Sequence, residues 1–319
     1  MVDELRERGL LAKALLSFAC IWLVWGSTFL AIHVAIADLP PLLLCAIRLL
    51  AAGSLLFAWA KATGVAWPEG RQLRNAAAVG LMLPAMGNAS VTIGVQHMPS
   101  GLAALMLSTI PLWMALFASI GRFAVRPAPR VVAGLVLGFG GIALLMGPGL
   151  VDAAHAEFSP LWALVPIAGS MSWAWGSLWS RRVSTPGSPL LATGVGMLAG
   201  GAALLVSSGL MGEFARFRPA EVSVASWLAL AYLVAFGSVA GFTAYLYLLR
   251  VVSPAVVSTY AFVNPIVAMA LGWAFAGEAL TGRTLTAAAV VIVAVVLITT
   301  ARAPSRAVAA GEDAGRRAA

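Results

Sequence analysis

PPLLLCAIRLLAAGSLLFAWA, residues 40–60, decides the fold class. Two prolines open it, at a helix start where a missing N–H does no harm. About 20 mostly apolar residues then suffice to cross a bilayer core as a helix. One residue breaks the run. Arg48 lies well inside it, and an intramembrane charge costs about 2.5–3.5 kcal/mol on insertion scales, so it faces a bundle interior or a watery cavity. No acid is placed to neutralise it easily. Asp3, Glu4, Glu7, Asp38, Glu69, Asp152, Glu157, Glu213, Glu221, Glu278, Glu312 and Asp313 all fall in tails, loops or helix ends. The sequence therefore describes a polar interior whose fixed charge is positive.

The rest of the chain extends this pattern. Of 319 residues 61% are hydrophobic and 10% charged, with a mean hydropathy of +0.95. Soluble domains carry about 25% charged residues, so an all-α membrane protein is expected. Apolar stretches between polar or Pro/Gly breaks give ten transmembrane helices near 14–36, 41–60, 76–95, 101–120, 131–146, 161–180, 190–211, 227–249, 255–276 and 285–300. Pro40, Pro99, Pro160, Pro189 and Pro254 mark helix starts. The first stretch is too long for a cleavable leader and reads as an anchor. The formal charge of +8 does not point to nucleic acid, because the basic residues flank the spans as topology signals do. With the N-terminus placed inside, only Arg216, Arg218 and Arg283 of the 20 Lys and Arg fall outside, with Arg48 in the membrane. Both termini are thus expected to be cytoplasmic. Cys20 and Cys45 have no metal-ligand spacing and read as small packing residues. No cofactor or metal is expected, and residues 303–319, rich in Ala and Arg, read as a disordered cytoplasmic tail.

The halves echo each other. Trp25-Gly26-Ser27 recurs as Trp175-Gly176-Ser177, and Pro111 recurs as Pro265. Five spans per half is an odd number, so the second copy enters the membrane upside down. The expected architecture is two five-helix inverted-topology repeats, residues 1–150 and 155–302. Inverted repeats are typical of alternating-access carriers with a midplane site.

IWLVWGSTFL (21–30), PPLLLCAIRLLAAG (40–53), MGNASVTIGVQHMPSGLAALMLSTIPLW (86–113), SMSWAWGSLWSRR (170–182) and YLYLLRVVSPAVVSTYAFVNPIVAMALGWAFAGEAL (245–280) together resemble the EamA family of the drug/metabolite transporter superfamily, and its YedA-type exporters in particular. The resemblance covers the chain apart from its tails. It implies ten helices around a central cavity and efflux of small metabolites or amphipathic compounds across a bacterial inner membrane. Many relatives carry an acid at the end of the fourth helix, whereas GRFAVRP (121–127) has none and only its counterpart Glu278 is present. Glu278 reads as a helix-end or loop residue, which makes the difference one of packing or topology.

Candidate pathway residues follow from helical spacing. Asn88, Thr92 and Gln96 form one polar stripe, open to either cavity lining or interhelical bonding. Trp22, Gly26, Phe29 and His33 share a face with Trp25 beside it; Ser170, Trp173 and Ser177 repeat the theme beside Trp175. Tyr245, Tyr260 and Asn264 complete a substrate-binding set of Trp25, Arg48, Asn88, Trp175, Tyr245, Tyr260 and Asn264. Pro84, Pro111, Pro166 and Pro265 each deny a hydrogen bond to the carbonyl four residues earlier, and Pro111 and Pro265 are the hinge candidates. Arg48 offers a planar fork of donors to a carboxylate or phosphate; a fixed bond to carbonyls, or a stack on Trp, is the structural alternative. His33 is the coupling candidate because it titrates near neutral pH, although a uniporter fits equally. Gly134/Gly138 and Gly196/Gly200 form GxxxG pairs, which serve a dimer face or packing within the chain; a homodimer and a monomer are both compatible.

The expected partners are a small-molecule substrate and the bilayer, and no nucleic acid. The function expected is export of amino acids or similar small metabolites, with a multidrug exporter of amphipathic compounds as the alternative. An intramembrane enzyme would need paired acids, HExxH or an activated nucleophile, and His33, His97 and His155 have no ligand spacing.

Overall fold

The computed structural model describes residues 2–120, 128–151, 159–251 and 260–300. The described secondary structure is helical throughout. Helix α1 runs through Val2–Ala19, a π-helical Cys20–Val24 and Trp25–Ala35, and α2 is Pro41–Ala62. Helix α3 joins Gly70–Gly80, a π-helical Leu81–Ala85 and Met86–Val95. Helix α4 is Ser100–Leu107 and Ile110–Ala118, and α5 is Pro129–Val151. Helix α6 follows a 3-10 turn at Pro160–Ala163 with Leu164–Ser180; α7 is Pro189–Leu210. Helix α8 joins Val224–Tyr232, a π-helical Leu233–Ala240 and Gly241–Val251; α9 is Tyr260–Ala276 and α10 is Gly282–Thr299.

Six of these are long and apolar enough to cross a membrane: Leu11–Ala35, Pro41–Ala62, Gly70–Val95, Ser100–Ala118, Pro189–Leu210 and Val224–Tyr245. Pro129–Leu144, Val263–Ala276 and Gly282–Ile298 are shorter apolar helices. The helix starts at Pro40, Pro99, Pro160 and Pro189 agree with the sequence. Pro254, His155, GRFAVRP and the 303–319 tail lie outside the described residues. The first helix begins well before residue 14 and the third before residue 76, because polar turns carry both beyond their apolar stretches.

Helix α7 packs along α2 and α3, and glycines permit the approach. A Cβ on Gly53 would lie 3.0 Å from the Gly194 carbonyl oxygen, and one on Gly80 would overlap the Gly196 peptide. A Cβ on Gly200 would lie 3.1 Å from the Gly80 oxygen. Helix α5 packs along α10, where a Cβ on Gly134 would meet the Ala294 oxygen at 3.0 Å. Both GxxxG pairs therefore serve contacts within the chain.

Acids tie one end of the bundle together. Buried Glu213 accepts from the free N–H groups of Leu42 (3.2 Å) and Leu43 (2.8 Å) at the start of α2, and from Ser208 Oγ (2.8 Å). Glu278 does the same for Ser100 (2.6 Å) and Gly101 (3.2 Å) at the start of α4. Helix N-termini leave N–H donors unpaired and carry partial positive charge, so a carboxylate satisfies both needs. Glu278 is a helix-capping residue, in agreement with its reading as a helix-end group. Asp38 accepts from the Ser223 N–H at 3.0 Å and from the hydroxyls of Ser223 and Ser226 at the start of α8.

The Ser223 and Ser226 hydroxyls and the Ser223 N–H hold the Asp38 carboxyl below its ordinary value. A lowered folded-state value means that this tie is fully present above about pH 3.9 and is lost as pH falls through the lower folded value. Asp38→Asn is accordingly expected to lower the melting temperature in detergent at neutral pH and to change it least at acid pH, which flattens the acid limb of the profile. An acid limb identical to wild type would show that the tie contributes nothing.

Candidate functional site

A central cavity, open to solvent on one side, lies among α1, α2, α3, α4, α6, α8 and α9; with that open solvent included its empty space is about 750 Å³. Its walls are largely apolar: Phe29, Ile32, Val91, Leu107, Ile110 and Phe242 contribute. Its polar groups are few. Arg48 lines it, as do Asn88, Asn264, Tyr260, Thr28 and Ser108. That combination of apolar walls and a few placed polar groups is the usual make-up of a small-molecule site.

Arg48 is buried on α2, and its Nε donates to Ser238 Oγ at 2.9 Å. No carboxylate pairs with it among the described residues, so its Nη donors have no anionic partner. Ser238 belongs to the π-helical stretch of α8. The preceding residue, Gly237, accepts from Trp25 Nε1 at 3.0 Å. A Cβ on Gly237 would come within 3.1 Å of Arg48 Nη2, so glycine there lets the guanidinium approach the helix backbone closely. One widened turn thus holds both the cation and the tryptophan. Trp25 in turn meets Phe242 (5.5 Å), Tyr245 (5.5 Å) and Tyr260 (5.1 Å), the first and last edge-on.

The asparagines are fixed by carbonyls of interrupted helices. Asn88 Nδ2 donates to the Pro84 carbonyl at 2.6 Å, just after the π turn of α3. The amide nitrogen of Asn264, in the orientation that satisfies its neighbours, reaches the carbonyls of Ile21 and Trp22 at 3.2 Å, beside the π turn of α1. In the polar stripe of α3, Asn88 faces the cavity, Thr92 is buried against Cys45 Sγ (3.2 Å), and Gln96 is exposed past the helix end.

Of the residues expected in the site, the structure brings together Trp25, Arg48, Asn88, Tyr260 and Asn264, with the hinge candidate Pro265. Tyr245 stands behind Trp25 and does not line the cavity. Trp175 does not line it either: it is 54% exposed and meets Phe117 edge-on at 5.8 Å. Two residues turn a helix by about 200°, so Trp173 takes the inward place instead, against Gly87. His33 is exposed and outside the cavity, and Pro111 is buried next to the lining residue Ile110. Ser238 and Gly237 escape a sequence reading, since a serine and a glycine in a small-residue stretch look like packing until the π turn presents them.

Known proteins place this arrangement. The model of the EamA-like transporter family matches residues 12–147 and again 160–300. The chain is 37% identical over 262 residues to "Uncharacterized inner membrane transporter YedA" of Escherichia coli (strain K12), covering 82% of each. It is 25% identical over 276 residues to "Uncharacterized transporter YvbV" of Bacillus subtilis (strain 168), covering 84% of this chain and 86% of the relative. A solved structure described as "Crystal structure of protein" shares the fold at a TM-score of 0.60 and 20% identity, covering 90% of this chain and 97% of that one. With its apolar helices and central cavity, the chain belongs to the EamA-like transporter family and is a multi-pass membrane transporter.

Proposed function

We propose that the chain is an inner-membrane secondary transporter that exports amino acids or similar small metabolites by alternating access. The observation that carries this reading is Arg48, the fixed charge lining an otherwise uncharged and largely apolar cavity. A carboxylate fits its planar fork of donors, and the apolar walls accept a side chain. The two halves act as inverted five-helix repeats, residues 1–150 and 155–302, rocking about the cavity, with the termini cytoplasmic. Reciprocal packing supports this: α1 lies against α8 and α9 as α6 lies against α3 and α4, while α2 pairs with α7 and α5 with α10. The double match of the family model and the Lys/Arg bias agree with it. The aromatic group around Trp25 favours a second reading, a multidrug exporter of amphipathic compounds that stack on rings.

Counterflow of labelled solutes in proteoliposomes tests both. Exchange of a carboxylated solute is expected, with Trp173→Ala lowering apparent affinity about fivefold to tenfold, the effect of an aromatic contact of about 1–1.5 kcal/mol, and Trp175→Ala changing it little. Exchange confined to uncharged or cationic drugs would favour the second reading. No saturable exchange of any solute would defeat both.

A further inference from the structure

The cavity has a charge balance that narrows what it carries and what drives it. Arg48 is its cation, and no Asp or Glu occurs between Glu7 and Asp38, Asp38 and Glu69, Glu69 and Asp152, Glu157 and Glu213, or Glu221 and Glu278. The described acids nearest the bundle, Asp38, Glu213 and Glu278, are spent on helix starts at one end. Among the described residues no carboxylate lines the cavity. A monoanion bound beside Arg48 brings the loaded cavity to zero net charge. A zwitterion leaves it at plus one, and its ammonium meets only neutral groups such as the oxygen of Asn88, whose nitrogen is committed to Pro84. Uncompensated charge in a low-dielectric interior is strongly disfavoured.

The same inventory bears on the driving force. Among the described residues the lining holds no Asp, Glu, His, Lys or Cys to trade a proton against the substrate, its ionisable side chains being Arg48 and Tyr260, and the one histidine placed in a span by sequence, His33, is exposed elsewhere. From these two observations we infer that the preferred substrates are apolar monoanionic carboxylates without an ammonium group, moved as net charge by electrogenic uniport. An inside-negative membrane potential then expels them with no coupling ion. This inference rests on the carrier reading above and narrows its substrates to small carboxylates that lack an ammonium, which makes amino acids themselves the poorer substrates. Arg48 stays with the protein through the cycle, so each turnover moves one negative charge outward.

A matched pair of probes tests it on the unmodified protein. N-acetylphenylalanine carries one negative charge near neutral pH and phenylalanine carries none net, with the same apolar body. Proteoliposomes given an inside-positive potassium diffusion potential with valinomycin, at equal pH on both sides, should accumulate labelled N-acetylphenylalanine tenfold per about 60 mV. Protein-free liposomes give the leak to subtract. Phenylalanine should compete at least tenfold more weakly in exchange and should not accumulate with potential. Exchange of the anion that ignores potential but follows a pH gradient would overturn the uniport. Equal or better competition by phenylalanine would overturn the charge selection, with the carrier reading intact in both cases. Absence of exchange for both probes and for every other solute would sink the inference and the carrier reading together.

Discussion

Arg48→Ala should nearly abolish exchange of carboxylated solutes at concentrations that half-saturate the wild-type protein. On the proposed reading, removing the guanidinium deletes a charge-assisted, two-pronged contact with the substrate carboxylate, an interaction of about 2–3 kcal/mol, or roughly 30- to 150-fold in apparent affinity. The loss is expected in apparent affinity first, because the group that disappears is proposed to hold substrate and pairs with no carboxylate among the described residues. Its one described protein bond, to Ser238 Oγ, leaves a hydroxyl that can turn to a backbone acceptor. Arg48→Lys keeps the charge but not the fork, and should recover only part of the affinity. Folding is checked independently by the melting temperature in detergent. A variant that melts like wild type and exchanges carboxylates at the wild-type rate would remove Arg48 from the binding site and leave it a packing residue.

The second large effect concerns α3 and α7. Gly80→Ala places a methyl group where the Gly196 peptide lies. Most overpacking is relieved by a side chain changing rotamer, at about 1–3 kcal/mol. Here backbone faces backbone, so relief requires moving a whole helix, and α7 is also held against α2 through Gly53 and Gly194. A destabilisation of about 3 kcal/mol or more is expected, seen as a melting temperature lower by on the order of 5–10 °C or as failure to insert stably. Gly140→Ala is the control, since a Cβ there meets nothing within 4 Å. A helix-interior Ala is then neutral or slightly stabilising. Equal melting of the two variants would mean that α3 and α7 do not meet backbone to backbone at Gly80.

The contrast between these residues shows what the sequence discloses. Arg48 stands out because a charge in an apolar run is expensive, so its inward placement is legible without coordinates. The helices are legible for the same reason, through long apolar runs bounded by Pro40, Pro99, Pro160 and Pro189. Trp175 was not legible as a surface residue. The repeated Trp-Gly-Ser suggests equivalent roles for Trp25 and Trp175, but Gly176 packs on Met82 and Leu83 and turns the neighbouring ring outward. Tyr245 and Trp25 touch, yet only one reaches the cavity, a difference of depth that spacing along a helix does not encode. Ser238 was invisible because its role depends on a π turn, and no residue pattern announces one.

Those turns also bear on how this chain can change length. Within a membrane helix, inserting or deleting one residue normally rotates everything beyond it by about 100°, exchanging lipid-facing and cavity-facing side chains. Cys20–Val24 and Leu81–Ala85 are each a single π turn, a bulge that absorbs an extra residue while the flanking helices keep their faces. Relatives one residue shorter at these two places can keep both flanks in register, and a gap inside α1 or α3 in an alignment is then a real event in the history of the protein. What such a relative would lose is local: the widened turn whose carbonyls receive Asn264 in α1, or the one that sets Pro84 beneath Asn88 in α3. Substrate range could thus diverge between relatives through a lost codon, with every cavity-facing side chain unchanged.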